Sequence, residues 1–158
     1  MRDAFNGRYA LDPTDIAILE LLQNEGRIAI AELGRRVGLS QPATAERIKR
    51  LEERGVIDGY AARLNPAALG LTMTAIIRLR TTHEHIAACL ALFATLPNVI
   101  EIYRLTGEDC FFLKVLVPKP EELEPIVDSI ARYGAVTTSL VLRQEKPKPI
   151  ARSLMPRS

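Results

Sequence analysis

Residues 29–55 read AIAELGRRVGLSQPATAERIKRLEERG. Leu33 and Val37 stand four apart, Gly38 interrupts the pattern, and Ser40 opens a second apolar series of Ala45, Ile48 and Leu51, with Thr44 beside it. Spacings of three and four place such side chains on one face of a helix. The stretch therefore predicts a helix from about Ile30 to Val37, a tight turn, and a second helix from about Gln41 to Arg54. Ser40 is a favoured N-cap, and Pro42 falls in the first helical turn, where its missing N–H costs nothing. At 100° per residue, Ala43, Glu46, Arg47, Arg50 and Arg54 point away from the apolar face. Just upstream, Asp12-Pro13-Thr14-Asp15 opens another helix, with Ile16, Leu19 and Leu22 as its stripe and Gly26 as its end. Just downstream, Val56 to Tyr60 reads as a short strand, which would make the unit winged.

Two short helices joined by a glycine turn, the second with a basic outer face, form a helix-turn-helix pattern. In such a pair the second helix can lie in the major groove, where arginine reaches guanine edges or phosphates. Ser40 and the free amides at the helix start are suited to a phosphate. Arg47 is expected on phosphate and Arg50 on base edges or phosphate, so Ser40, Gln41, Ala43, Glu46, Arg47, Arg50 and Arg54 make up the expected DNA-binding set. The competing reading of Arg47 is a structural ion pair with Glu46 or another nearby acid. An ordinary three-helix bundle with a solvated face shows the same pattern. Gly34 at the helix crossing and the short Gly38-Leu39-Ser40 turn favour the DNA motif.

The whole chain, 158 residues with a net charge of +2, looks too neutral for a nucleic-acid partner. The average hides a pattern. Residues 35–50 hold five basic side chains against Glu46 alone, residues 65–142 hold six basic against eight acidic, and residues 143–158 hold five basic against one. A basic patch of this kind is the electrostatic footprint of phosphate binding. No apolar run reaches the roughly 18 residues of a membrane span, the first residues lack the apolar core of a secretory signal, and two cysteines are too few for a disulfide scaffold. A cytoplasmic protein without membrane association is expected. No metal site is expected, since no CxxC or HxxxH spacing occurs, and no Ser/His/Asp arrangement or phosphate loop points to catalysis.

The second half reads strand, helix, strand, strand, helix, strand: about residues 71–80, 83–95, 99–105, 110–117, 121–132 and 136–142. That order is the split βαββαβ unit of ferredoxin-like folds, with two helices on one face of an antiparallel sheet. The two middle strands are apolar on both faces: Val99, Glu101, Tyr103 and Leu105 are expected opposite Ile100 and Ile102, and Phe111, Leu113 and Val115 opposite Phe112 and Leu116. A sheet face that is apolar yet free of helices is expected to meet a second copy, and a two-fold dimer suits a protein that reads paired half-sites. The expected organisation is thus α+β: residues 1–60 a winged helix-turn-helix, 61–70 a hinge, 71–143 the βαββαβ domain, and 144–158 a basic, proline-rich tail. The tail is too proline-rich and basic to fold alone, and reads as a flexible arm or as a segment packed on a neighbouring subunit.

Taken together, these residues resemble the Lrp/AsnC family of transcription regulators over about residues 11 to 142. The stretch from Ala29 to Ser40, followed by Arg47-Ile48, Leu51 and Gly55, matches the family's helix-turn-helix signature, and Leu11-Asp12, Asp15, Gly59-Tyr60 and Leu64-Asn65-Pro66 are similar to its flanks. Thr106-Gly107-Glu108-Asp109-Cys110, followed by Phe112-Leu113-Lys114-Val115, is similar to its effector-domain loop. The resemblance implies double-stranded DNA as a partner, dimers through the sheets or octamers of four dimers, an ACT-like effector domain, and an amino acid bound near Gly107 by the residues from Thr106 to Cys110. It implies a non-enzyme with no cofactor. Many members carry Asp where this chain has Cys110; Glu108 and Asp109 are expected to supply the charge for an ammonium instead. Nothing in the sequence near Cys110 points to a lowered thiol pKa, and Asp109 would raise it. The alternative from the enzyme class is a siroheme decarboxylase-like protein of the same architecture, for which His83 and His85 are the only histidines available.

Overall fold

A computed structural model describes residues 10–156; the expected N-terminal domain before residue 10, and the last two residues of the tail, lie outside the described residues. The chain divides into two compact units: an N-terminal unit of residues 10–62 together with 146–156, and a sheet unit of residues 63–145.

The N-terminal unit holds three helices, α1 (Pro13–Asn24), α2 (Ile30–Val37) and α3 (Gln41–Glu53). Asp12 caps α1 by accepting from the amides of Thr14 and Asp15, both at 2.8 Å, and the Asp15 carboxylate returns to the Asp12 amide at 3.4 Å. This reciprocal capping satisfies amides that the helix cannot. Ile16, Ile18 and Leu19 of α1, Leu33 of α2, and Ile48 and Leu51 of α3 meet with Leu11 in one buried cluster. Gly34 sits where α2 passes closest to the turn: a Cβ there would stand 2.8 Å from both the Leu39 carbonyl and Thr44 Oγ1. Thr44 is fully buried and donates its hydroxyl proton to the Ser40 carbonyl at 2.9 Å. The helix-turn-helix is therefore closed by one missing side chain and one satisfied hydroxyl.

The strand expected at Val56–Tyr60 does not form: those residues belong to no ladder among the described residues. A strand needs a neighbour with which to share its hydrogen bonds, and the four-stranded sheet is built from residues 73–140 among the described residues. The Val56 and Ile57 amides bond instead to the Leu51 carbonyl at 2.9 and 3.1 Å, closing the end of α3.

The sheet unit contains β1 (Met73–Thr81), α4 (Ile86–Thr95), β2 (Val99–Arg104), β3 (Phe111–Val117), α5 (Glu124–Ala131) and β4 (Gly134–Leu140). The strands run antiparallel in the order β2-β3-β1-β4. One face is closed by α4 and α5: Cys89, Phe93, Ile126 and Ile130 pack on Ala75, Ile77, Leu79, Phe111, Leu113 and Val115. Phe93 and Phe111 meet edge to face at 5.1 Å. β4 begins two residues earlier than expected, because Gly134 leaves room for the Arg80 carbonyl beside it, where a Cβ would collide. β2 also departs from strict alternation. Val99 pairs with Val115 and Glu101 with Lys114, so Ile100 is an extra residue in a bulge. Val99 therefore faces the helices with Ile102, rather than sharing a face with Glu101 and Tyr103 as expected. A single inserted residue flips the phase of everything before it.

Candidate nucleic-acid interface and effector loop

The outer face of α3 sorts the expected DNA-binding residues into two kinds. Gln41, Glu46, Arg50 and Arg54 are exposed, as is Ser40, whose Oγ accepts from the Ala43 amide at 3.4 Å; Ala43 is half-buried. Arg47 is 25 % exposed and its Nη1 lies 2.5 Å from Asp12 and 2.7 Å from Asp15. It clasps α3 to the start of α1. Of the two readings of Arg47, the geometry is that of the ion pair, with Asp12 and Asp15 rather than Glu46 as its partners. Burial pushes the Asp12 carboxyl up, but the Asp15 and Thr14 amides and the Arg47 guanidinium together bring it below its ordinary 3.8. Arg47 in turn is raised, first by its hydrogen bonds to Asp12 and Asp15.

Most of the remaining basic patch is also neutralised in place. Arg35 and Arg36 both bond to Glu32, at 2.7 and 2.8 Å, and Arg36 reaches Glu25 at 2.5 Å. Hydrogen bonds from Arg35 and then Arg36 hold the Glu32 carboxyl at about 2. Lys49 lies 3.7 Å from Glu53. Among the described residues, Arg50 alone of the five basic groups in residues 35–50 is without an ion pair. The sequence located the basic face; the same-helix partners Glu32 and Glu53 stand three or four residues from the groups they neutralise, whereas the cross-helix partners of Arg47 and Arg36, Asp12 with Asp15 and Glu25, were invisible because they are distant in sequence.

In the sheet unit, the expected effector residues form the turn between β2 and β3. Thr106, Gly107 and Glu108 are exposed, while Asp109 and Cys110 are half-buried. Glu108 and Asp109 were expected to stand ready for an ammonium group. Instead they face arginines of β1: Asp109 accepts from Arg78 Nη1 at 3.1 Å, and Glu108 lies 3.9 Å from Arg80. These arginines alternate with buried Ile77 and Leu79, which legibly placed them on the outer face. That they reach the turn follows only from the pairing of Leu79 with Phe111. Arg104 donates to the Cys110 carbonyl at 2.5 Å and lies 4.8 Å over the Phe111 ring. Contact with the Thr81 backbone, then the Arg104 guanidinium, holds the Cys110 thiol below its ordinary value against the opposing effect of Asp109. The sequence expectation that nothing lowers this thiol is therefore corrected. Thr137, Thr138 and Ser139 on β4 are exposed.

The sheet face away from the helices carries Ile76, Tyr103 and Phe112 around a cavity of about 610 Å3, crossed by the Lys114–Glu101 pair at 3.1 Å. Tyr103 and Phe112 meet edge to face at 5.6 Å. His83 and His85 are exposed, and His85 rests its ring 5.8 Å from Tyr133. Among the described residues no cluster of three His, Cys, Asp or Glu could hold a metal ion, and no helix is long and apolar enough to cross a membrane.

Comparison with known proteins matches the same two units. The winged helix-turn-helix DNA-binding family matches residues 11–58, and the Lrp/AsnC ligand binding domain matches residues 74–150. The chain is 39% identical to the Uncharacterized HTH-type transcriptional regulator YezC of Bacillus subtilis, over 88% of this chain and 99% of that one. The structure of B. subtilis LrpC superposes with a TM-score of 0.82 at 28% identity, covering 89% of this chain and 100% of that chain. The structure of the transcriptional regulator NMB0573 of Neisseria meningitidis, in complex with L-Met, superposes with a TM-score of 0.79 at 30% identity, covering 90% and 97%. The relatives are named as regulators, which favours that reading over the siroheme decarboxylase alternative. With a DNA-binding helix-turn-helix and a ligand-binding sheet unit on one chain, the protein belongs to the Lrp/AsnC family of DNA-binding transcriptional regulators.

Proposed function

We propose that α3 enters the major groove with Arg50 as its principal charged contact, and that an amino acid bound near Gly107 modulates this binding in an assembly of at least two copies. The observation that carries the reading is the division of labour on α3: Arg47 is held by Asp12 and Asp15, while Arg50, one turn further on, is exposed and without an ion pair among the described residues. A helix held by one arginine can present the next without losing its orientation. Ala43, Glu46 and Arg54 share the face of α3 that carries Arg50, Gln41 is exposed at the start of the helix, and Ser40 caps the helix end suited to phosphate.

The amino-acid part rests on the ligand-binding family of the sheet unit and on NMB0573, which was crystallised with L-Met. In this chain Arg78 and Arg80 of β1 are paired with Asp109 and Glu108 of the turn, and a bound zwitterion would exchange into these pairs, its carboxylate taking an arginine and its ammonium an acid. The apolar outer sheet face with Tyr103 and Phe112 is the surface for a second copy. The test is a gel-shift titration on duplexes selected from a random pool, run across salt and with each of the twenty amino acids. The expected outcome is a duplex whose affinity falls with salt and shifts with at least one amino acid, with Arg50→Ala lowering the salt slope by about one unit for the phosphate it no longer neutralises. An unchanged affinity and slope for Arg50→Ala would remove it from the interface; no response to any amino acid would remove the effector.

A further inference from the structure

Residues 146–156 have the composition of a solvated tail: Lys146, Lys148, Arg152 and three prolines, with one short 3-10 turn at Arg152–Leu154 as their only regular element. They nevertheless belong to the N-terminal unit, and four separate contacts hold them there. The Gln23 side chain brackets the backbone of Ile150, accepting from its amide at 2.7 Å and donating to its carbonyl at 3.3 Å. That is the two-bond exchange a neighbouring strand makes, supplied here by one amide side chain. The Leu11 amide donates to the Pro156 carbonyl at 3.2 Å. Met155 packs against the buried cluster that includes Leu11, Ile16 and Leu19. Arg152 lies 3.8 Å from Glu20. Ile150, Leu154 and Met155 thus form one wall of a cavity of about 710 Å3, whose other walls are α1 and residues 56–61.

Charge gives the docking a purpose. Residues 1–62 carry nine basic side chains and ten acidic ones, a balance of −1. That is a poor balance for a unit that must approach phosphates. The tail of residues 146–158 adds four basic side chains and no acid, and brings the balance to +3. Lys146 and Lys148 are exposed and make no ion pair among the described residues.

We propose that the groove between α1 and residues 56–61 is a docking site for the chain's own C-terminal tail, and that the docked tail supplies the positive balance of the DNA-binding unit. The electrostatic half of this rests on the DNA-binding reading above; the docking half does not. The tail leaves β4 at the end of the sheet unit, so it ties the DNA-binding unit to the ligand-binding unit by a second length of chain besides residues 63–72.

The test uses a chain ending at Glu145 and a fluorescein-labelled peptide of residues 146–158. The truncated chain is expected to melt at least about 4 °C lower and to give a saturable anisotropy rise with the peptide. The full chain, its groove filled, is expected to give none. The truncated chain should also bind DNA more weakly and with a smaller salt slope than the full chain. An unchanged melting temperature with no peptide binding overturns the docking site, and equal peptide binding by full and truncated chains overturns docking within one chain. Should the truncated chain not fold, full-length Gln23→Ala/Met155→Ser decides by limited trypsinolysis at Arg152, the one basic residue of 146–156 not followed by proline. Faster cleavage than in the parent supports docking, and an unchanged rate overturns it. If the intact chain fails to bind any duplex, the DNA reading falls while the peptide result still stands. If the peptide docks but truncation leaves the DNA salt slope unchanged, the electrostatic role is overturned.

Discussion

The two units are held together by different physics. The sheet unit buries twelve residues in one apolar cluster between its helices and a four-stranded sheet. Among the described residues the helical unit buries seven apolar ones in its cluster, and supplements them with reciprocal capping at Asp12 and Asp15 and with the Arg47 clasp across α1 and α3. Area removed from water is indifferent to pH and only weakly responsive to salt, whereas ion pairs depend on both. The difference teaches that the ligand-binding unit packs its helices on its sheet through apolar burial, its ion pairs lying on the outer face and the turn, while the DNA-binding unit clasps two of its helices by the same kind of interaction through which it meets its target.

The largest way to break this comparison is through the sheet unit. Phe111 is fully buried and packed edge to face on Phe93. Phe111→Ala is expected to cost about 3–5 kcal/mol, read as a lower urea midpoint, with no dependence on pH between 4 and 8. A loss under about 1 kcal/mol would show that this core is not what holds the unit.

A smaller and pH-dependent effect is expected from the clasp. Arg47→Ala leaves the nearly buried Asp15 without its guanidinium, while Asp12 is two-fifths exposed and keeps its solvent. Screening at Asp12 limits the expected loss to about 1–2 kcal/mol at neutral pH. The Asp12 carboxyl is held below its ordinary value in the folded state, so the unfolded chain takes up its proton first. The stabilisation is therefore complete above about pH 4 and is lost as the pH falls through the folded value. Thermal melts of parent and Arg47→Ala from pH 7 to pH 2 are expected to converge at the acid end. A gap that stays constant across that range would mean that Arg47 acts through packing rather than through charge.

The smallest effect on stability belongs to Arg50→Ala, within about 0.5 kcal/mol of the parent because the side chain is exposed and without an ion pair among the described residues. Its effect is expected in the gel-shift salt slope instead. Two arginines one turn apart would then differ in kind: one changes the melt, the other changes the binding. A melt of Arg50→Ala as perturbed as that of Arg47→Ala would erase the distinction.

The helix-turn-helix was legible because its signals are local. Gly38, the Ser40 cap and the four-and-three spacing of Thr44, Ile48 and Leu51 lie within a few turns of one another. The βαββαβ order was legible for the same reason, since each element announces itself by its own period and its own turn. The face assignment of Val99 was missed because a bulge is a feature of pairing, visible only when Lys114 meets Glu101 instead of Ile100. The wing strand was expected from the β-propensity of Val56 and Ile57, but propensity cannot supply a neighbouring strand.

What the sequence by itself determined is therefore the set of elements, the apolar faces and the outer surface of α3, each encoded in residues close along the chain. Only the tertiary structure decided which charges remain available. Arg47, Arg78 and Arg80 look alike in sequence and are each opposed by an acid brought to them by the fold, whereas among the described residues Arg50 is not. It alone also decided that the basic tail returns to α1 through Gln23 and Ile150, residues 127 apart. The physical reason is common to both: an ion pair or a main-chain bond acts over about 3 Å of space, and no local pattern of residue types reports who arrives within that distance.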